Sequence, residues 1–187
     1  MISAVTHREI KIVDCLKTPV TITDPNSGRV LETLGIWDTG ATKSVITKCV
    51  AKRLGLIPIQ MAKVRGVHGV KLVNVYLVSI TLNNENITLT SLVTECEALN
   101  DVDDTEMLIG MNIVNMGDLC ISNFEGKTVL TFRTPSLEVV DYVAEIAEHN
   151  RIHKIHQAKS SRGDERCPCG SGKLFKNCHA QSKYYHG

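Results

Sequence analysis

The sequence predicts a mainly β domain that is followed by one helix and a small cysteine-rich module. Up to about residue 133, short β-branched runs alternate with turns and leave room for only one short helix. Beyond residue 135 apolar residues recur at helical spacing, and after residue 166 three cysteines lie within twelve residues. These observations divide the chain into a β domain over residues 1–134, an amphipathic helix over 135–158, a linker over 159–166 and a cysteine module over 167–187.

The composition indicates an aliphatic core and two regions with different surfaces. Of the 187 residues 43% are hydrophobic but only 4% are aromatic. Residues 1–150 carry 13 Lys and Arg against 18 Asp and Glu, whereas residues 151–187 carry 8 against 2. The N-terminus has no apolar run of signal-peptide length, and no apolar stretch is long enough to cross a bilayer. We therefore expect a cytoplasmic protein without a membrane partner.

The β domain is predicted from runs of alternating or β-branched residues. The turn sequence DPNSG over residues 24–28 separates the first strands, and the segment from Val45 to Leu54 has helical spacing that ends at Gly55, as at a glycine C-cap. Long helices that alternate with strands are absent from this pattern, which excludes a parallel α/β sheet. The predicted strand segments are Lys11–Val13, Val20–Thr23, Val30–Ile36, Val73–Leu82, Ile87–Thr90, Leu108–Ile109 and Val129–Phe132.

The C-terminal helix is predicted to begin at Ser136, which can cap it, and to reach about Gln157. Its apolar stripe would consist of Leu137, Val140, Val143, Ala144 and Ala147. Three histidines, His149, His153 and His156, fall on one face of this helix. We interpret them as a solvated face, with metal binding as the alternative.

Four of the seven cysteines are isolated in apolar surroundings: Cys15, Cys49, Cys96 and Cys120. A secreted disulfide framework would be spaced more regularly, so we expect these four to be reduced core residues.

The segment LGIWDTGATKSVI, residues 34–46, resembles the active-site motif of retropepsins, the retroviral and retroviral-like aspartic peptidases. A second segment, MLIGMNIV at residues 107–114, resembles the family's apolar-apolar-glycine element, and VRGVHGVK at residues 64–71 resembles its flap. The resemblance covers about residues 10–133 and implies a retropepsin-like closed β-barrel half-site. It implies Asp38, Thr39 and Gly40 as catalytic residues, and Gly66, Val67, His68 and Gly69 as substrate-binding flap residues.

The chemistry implied by this resemblance needs two carboxyl groups. One is ionised and acts as base, the other is protonated and acts as acid, because two neighbouring carboxyls cannot both ionise and so share a proton. The chain has one such motif, centred on Asp38, so the site requires a symmetric homodimer. A peptide or protein is the expected substrate, and no cofactor is expected for catalysis.

The sequence departs from the retroviral pattern at two positions. Thr42 stands where an acidic residue is common, and Met111 stands where its arginine partner is common. Since both partners of the ion pair are missing together, we expect the active-site loop to be braced in a different way. A correct fold without activity is the main alternative.

The segment CPCGSGKLFKNCH, residues 167–179, resembles the SEC-C motif. Three thiolates and one imidazole suit tetrahedral Zn²⁺, and a closed set of four ligands is structural and not catalytic. The predicted ligands are Cys167, Cys169, Cys178 and His179. The resemblance implies a protein or the ribosome as the partner of this module. Lys173 and Lys176 make the module basic, so nucleic acid is a further alternative.

Three functions follow from these patterns. The first is an aspartic endopeptidase dimer that is targeted by a zinc knuckle. The second is a catalytically silent dimeric scaffold that binds protein, and the third is a zinc-knuckle adaptor whose β domain only dimerises. An intact Asp38-Thr39-Gly40 motif favours the first, because a silent scaffold has no need of an acid in that position.

Overall fold

The computed structural model describes residues 2–66, 69–82, 87–99, 104–157, 165–167 and 169–178. Contacts divide the chain into two units, Met1–Leu137 and Glu138–Gly187. The finer division of the second unit into helix, linker and cysteine module stays a prediction, and most of the linker lies outside the described residues.

The first unit is built almost entirely of strands, which confirms the mainly β prediction. Its elements are β1 (Ser3–Arg8), β2 (Lys17–Thr23), β3 (Val30–Trp37), β4 (Val45–Thr47), α1 (Lys48–Leu54), β5 (Gln60–Gly66), β6 (Gly69–Leu82), β7 (Ile87–Cys96), β8 (Thr105–Ile109), α2 (Met111–Val114), β9 (Asp118–Ser122), a 3-10 turn (Phe124–Gly126) and β10 (Val129–Thr134).

Six of these strands close into a barrel. They lie in the order β2, β3, β8, β4, β7, β6, and β6 pairs back onto β2. The pairs β3–β8 and β4–β7 are parallel, and the other pairs in the barrel are antiparallel. Strand β5 lies outside the ring and forms a hairpin with β6. This is the closed barrel that the resemblance implies.

The barrel interior is aliphatic, as the composition predicts. Side chains alternate between the two faces of a strand, so every second residue enters the core. In β6 the core residues are Tyr76, Val78, Ile80 and Leu82, each no more than 4% exposed. Helix α1 adds Val50, Ala51 and Leu54 to the same core.

A second sheet of three strands, in the order β1, β10, β9, completes the unit. It contacts the barrel core through Phe132, whose ring centre lies 5.4 Å from that of Trp37. Trp37 is the residue before Asp38, so this contact helps to fix the end of β3.

Three parts of the strand prediction were wrong. Lys11–Val13 is not a strand, whereas β1 and β9, which the sequence did not predict, are strands. The segment Val45–Leu54 is not one helix, because Val45–Thr47 joins the barrel as β4 and the helix starts only at Lys48. Thr47 caps this helix by accepting a hydrogen bond from the N–H of Val50, and Gly55 ends it with a left-handed φ of 65°, as predicted.

The C-terminal helix, α3 (Tyr142–Gln157), begins later than predicted. Its first turn is capped by Asp141, whose Oδ1 accepts from the N–H groups of Val143 and Ala144 at 2.9 and 3.2 Å. Ser136 is therefore not the cap, and Leu137 and Val140 of the expected stripe precede the helix. Val143 is 80% exposed, so the expected stripe is not a buried face within this unit.

The expectation that the four isolated cysteines are core residues was also wrong. Cys15, Cys49 and Cys120 are exposed, and Cys96 is half-buried. In strand β9, Cys120 lies between two apolar neighbours that point to the opposite face of the sheet.

Asp118, the first residue of β9, forms hydrogen bonds with residues at the end of β10 and just beyond it. Its carboxylate accepts hydrogen bonds from Arg133 Nε at 2.7 Å, Ser136 Oγ at 2.5 Å and the Leu137 N–H at 3.1 Å. The Ser136 and Arg133 hydrogen bonds, with that of Leu137, lower the pKa of Asp118 to about 2 from its usual 3.8.

We expect this carboxylate to make the stability of the first unit depend on pH. Because its pKa is lower in the folded state, its contribution is complete above pH 3.8 and is lost as the pH falls through about 2. Thermal unfolding of wild type and Asp118→Asn should therefore differ at pH 6 and converge near pH 2. Exposed Asp14 provides a matched Asp→Asn control. A difference in Tm that stays constant over this range would contradict the prediction.

Candidate active site and metal centre

Asp38 lies where the parallel strands β3 and β8 end side by side. The last pair in their register joins Trp37 to Ile109, and the N–H of Asp38 then donates to the carbonyl of Ile109 at 2.9 Å. The Asp38 Oδ1 accepts from the Gly40 N–H at 2.8 Å, and the side chain is half-buried. Thr39 and Gly40 are exposed. The carboxylate is thus held by its own loop at the surface of the unit.

Trp37 anchors the strand that leads into this loop. Its indole N–H donates to the buried Thr18 hydroxyl at 3.0 Å, so the one polar atom of the ring is satisfied inside the core. Together with the contact to Phe132, this hydrogen bond fixes the residue that precedes Asp38.

Gly110 allows its own chain segment to pack directly against the backbone of Ala41 and Lys43, which follow Asp38 in the active-site loop. A Cβ atom at this position would lie 2.6 Å from both the carbonyl carbon and the oxygen of Lys43, and 2.8 Å from the oxygen of Ala41. The next residue, Met111, donates its N–H to the same Ala41 oxygen at 2.8 Å. This backbone contact is so close that only glycine fits.

Ser44 and Asn112 brace the loop with hydrogen bonds. Asn112 Oδ1 accepts from the Ser44 N–H at 2.6 Å and from its hydroxyl at 2.9 Å, and the Ser44 Oγ accepts from the Gly110 N–H at 3.0 Å. Asn112 Nδ2 donates to Ser91 Oγ at 2.8 Å. Ser44 is fully buried, so this neutral network occupies the interior beside the loop.

This network is the different brace that the missing ion pair led us to expect. The sequence did not assign it to Ser44 and Asn112. The available signal was Asn112, the one polar side chain in the apolar run of residues 107–114, since such a residue needs a partner when buried. Ser44 follows the polar residues Thr42 and Lys43, so its own neighbours did not mark it as buried.

Gly110→Ala should destabilise the fold and distort the loop. The clash involves backbone atoms that cannot rotate away, so we expect a cost of about 3 kcal/mol in the free energy of unfolding. Gly28→Ala is the control: it has open space within 4 Å but a φ of +71°, so its cost should be only about 1 kcal/mol. Chemical denaturation measures both. Equal costs would show that Gly110 is not tightly packed.

The predicted flap is a two-stranded hairpin. Strands β5 and β6 pair without interruption from Gln60↔Val75 to Gly66↔Gly69. Gly69 has a φ of +101°, which other residues rarely adopt. Val67 and His68 lie outside the described residues.

Three of the four predicted metal ligands lie together in the second unit. The sulfur atoms of Cys167, Cys169 and Cys178 are all within 4.8 Å of one another, and those of Cys169 and Cys178 are 3.7 Å apart. Two sulfurs on one tetrahedral zinc ion, each at about 2.3 Å, would be separated by about 3.8 Å. The three thiols therefore fit a single ion. His179 lies outside the described residues.

Turns hold these thiols in place. The N–H of Cys167 donates to the Lys173 carbonyl at 2.7 Å, and Gly170 and Gly172 adopt φ values of 79° and 73°. Hydrogen bonds from Ser171 lower the pKa of the Cys169 thiol to about 6, whereas burial raises the pKa of Cys167.

His149 and His153 stack on helix α3 with ring centres 6.4 Å apart. The side chain of His156 lies outside the described part of the chain. Within that part, no helix combines the length and the apolar character that a membrane crossing requires.

Solved structures with related folds include three proteases. A retropepsin-like aspartic protease from Rickettsia conorii is 12% identical, with a TM-score of 0.44 over 72% of this chain and 95% of that chain. The retroviral protease-like domain of Ddi1 from Leishmania major is 18% identical, with a TM-score of 0.44 over 68% and 97% of the two chains. The Simian Foamy Virus (mac) protease is 18% identical, with a TM-score of 0.37 over 53% and 91%.

The C-terminal segment matches a different group of proteins. Residues 165–181 match the SEC-C motif. Over 36 residues the chain is 56% identical to the protein translocase subunit SecA of Ehrlichia chaffeensis. That match spans 19% of this chain and only 4% of the length of SecA.

The sequence model of the aspartyl protease family matches residues 18–113. Apart from Lys17, the first residue of β2, this range holds the six barrel strands, and it includes the Asp38 loop, the hairpin and Gly110. Because the match covers slightly more than half of the 187 residues, the chain belongs to the aspartyl protease family, with a SEC-C motif near its C-terminal end.

Proposed function

We propose that this protein is an aspartic endopeptidase that acts as a homodimer. The observation that carries the proposal is the position of Asp38, on a braced surface loop at the end of two parallel strands. One chain supplies one such carboxylate, and a second copy placed on a two-fold axis would supply the other.

In the proposed reaction the two Asp38 carboxyls share one proton and hold a water molecule between them. The ionised carboxylate takes a proton from the water, whose oxygen attacks the carbonyl carbon of the peptide. The protonated carboxyl gives its proton to the carbonyl oxygen. The resulting tetrahedral diol then collapses: the C–N bond breaks, a proton passes to the leaving nitrogen, and a carboxylic acid and an amine are released.

The neighbouring residues have supporting roles in this proposal. Gly40 keeps the carboxylate oriented through its N–H, as the 2.8 Å hydrogen bond supports. The exposed Thr39 has a hydroxyl that can bond across the two-fold axis. Gly66, Val67, His68 and Gly69 would form the tip of a hairpin that covers the bound peptide.

We further propose that Cys167, Cys169, Cys178 and His179 hold one structural Zn²⁺. The three clustered thiols support this assignment. The module then serves to bring the peptidase to a partner, a protein or a ribosomal surface, and its exposed Lys173 and Lys176 favour an acidic one.

The rate of peptide cleavage as a function of pH tests the peptidase. Because the reaction requires one protonated and one ionised carboxyl, the rate should rise and then fall with pH, and it should be low above neutral pH. A peptide substrate is found by incubating a peptide library with the full chain and identifying the products by mass spectrometry. Absence of cleavage across the pH range would favour the silent scaffold.

A further inference from the structure

The face of the barrel wall that carries Asp38 can be traced by strand alternation. Trp37 points into the core, so its neighbours Ile36 and Asp38 point to the opposite face. We call this the outer face. Ile36 and Leu108 are half-exposed there, whereas Met107 and Ile109 of the same strand as Leu108 are fully buried in the core.

The outer face continues without a break from Asp38 to the hairpin. Residues directly opposite one another on paired strands share a face. One such row crosses β3, β8, β4, β7, β6 and β5 through Ile36, Leu108, Val45, Thr94, Val75 and Gln60. Val75 and Thr94 are only 4% and 7% exposed, so this face is packed at the base of the hairpin and is not open to solvent there.

The hairpin carries three cations among its described residues, and only one shares this face. Lys63 pairs with Leu72 and Arg65 with Val70, which places both cations on the face of the core residues of β6. Lys71 pairs with Val64, four residues from Val75, and so lies on the outer face with Asp38.

Lys71 is exposed and is available for an external carboxylate. The charge of Lys71 contributes to lowering the pKa of Glu97. That carboxylate is already held by Lys48 Nζ at 2.5 Å, and Lys48 has a larger effect than Lys71 in lowering the pKa of Glu97. The side chains that flank Lys71 on the outer face, Val64 and Val73, are apolar.

We propose that Lys71 is a specificity-determining residue, which selects substrates that carry an aspartate or glutamate among apolar residues near the scissile bond. This inference rests on the proposed function, because it takes the outer face of the hairpin as the surface over the bound peptide. The acidic side chain would pair with the Lys71 ammonium, and the apolar residues beside it would contact Val64 and Val73.

Charge reversal on the two faces of the hairpin tests the proposal. Peptide libraries that vary one position between Asp, Glu, Asn, Gln, Lys and Arg are cleaved by wild type, Lys71→Glu and Lys63→Glu full-length protein. We expect wild type to prefer the acidic peptides in kcat/KM by about fivefold over the amide peptides, as a partly exposed ion pair allows. Lys71→Glu should prefer basic peptides instead, and Lys63→Glu should behave as wild type.

The outcomes separate this inference from the proposed function. Two results would overturn the role of Lys71 and leave the proposed peptidase function intact. One is cleavage that depends on Asp38 but shows no preference for acidic peptides. The other is a preference that Lys63→Glu changes as much as Lys71→Glu does. Binding of the same peptides to Asp38→Asn, measured by fluorescence anisotropy, should show the same charge preference without turnover. If no peptide is cleaved but this preference is present in binding, the peptidase proposal fails and the Lys71 site stands.

Discussion

Asp38→Asn should abolish peptide cleavage and leave the fold intact. The amide cannot act as a general base, and such catalysis contributes up to about 10⁴-fold to a rate, so activity should fall at least about a thousandfold. The asparagine keeps the Oδ1 atom that accepts from the Gly40 N–H, and it is nearly the same size. Peptide cleavage and circular dichroism measured on the same preparation check both parts.

The matched control is Asp14→Asn, which makes the same change of charge at an exposed residue outside the barrel. Its activity should equal that of wild type. Cleavage that persists in Asp38→Asn at the wild-type rate would place the chemistry at another residue.

Removal of metal should unfold the cysteine module and leave the β domain unchanged. Of the described residues from 165 onward only Cys167 is buried, so this short segment has almost no core of its own. A structural zinc ion contributes about 10 kcal/mol or more to the folding of such a segment. Chelation should therefore broaden or shift the NMR signals of residues 165–178 and leave those of the barrel in place.

Two variants sharpen this experiment. Cys169→Ser removes one proposed ligand and should reduce the bound zinc from one ion per chain to a small fraction, whereas Cys120→Ser, in strand β9, should not. Truncation after Ser161 removes the whole module and should preserve dimerisation and cleavage. If truncation instead dissociates the dimer, the module belongs to the assembly interface and the separation of the two functions is wrong.

Local patterns predicted most of the barrel but missed two strands, β1 and β9, of the three-stranded sheet. Long alternating runs such as Val73–Leu82 identify a strand by themselves, and Gly55 marks a helix end through its left-handed conformation. Strand β1 forms only because Ser3–Arg8 pairs with β10, more than 120 residues away in sequence. Lys11–Val13 has the same β-branched character but finds no strand partner. Pairing over such distances is not encoded in the local pattern.

The candidate site was also predicted only in part: its sequence motifs were recognised, but the contacts between distant residues were not. Asp38 and Gly110 belong to motifs with a recognisable sequence, and the structure brings their segments together. The hydrogen bonds between Ser44 and Asn112 join residues 68 positions apart, so neither segment alone reveals them. Apolar neighbours misled the prediction for Cys120, because only Leu119 packs against the core, whereas Cys120 and Ile121 are both exposed.

The most direct test of a shared site is activity in mixtures of wild type and Asp38→Asn. Total protein is held constant, the chains are allowed to exchange fully, and the rate is measured against the fraction of wild type. If each site needs two Asp38 carboxylates, only wild-type homodimers cleave, so the rate follows the square of that fraction and is about one quarter at equal amounts. A rate of about one half, on a straight line, would show that one chain suffices and would contradict the homodimeric site.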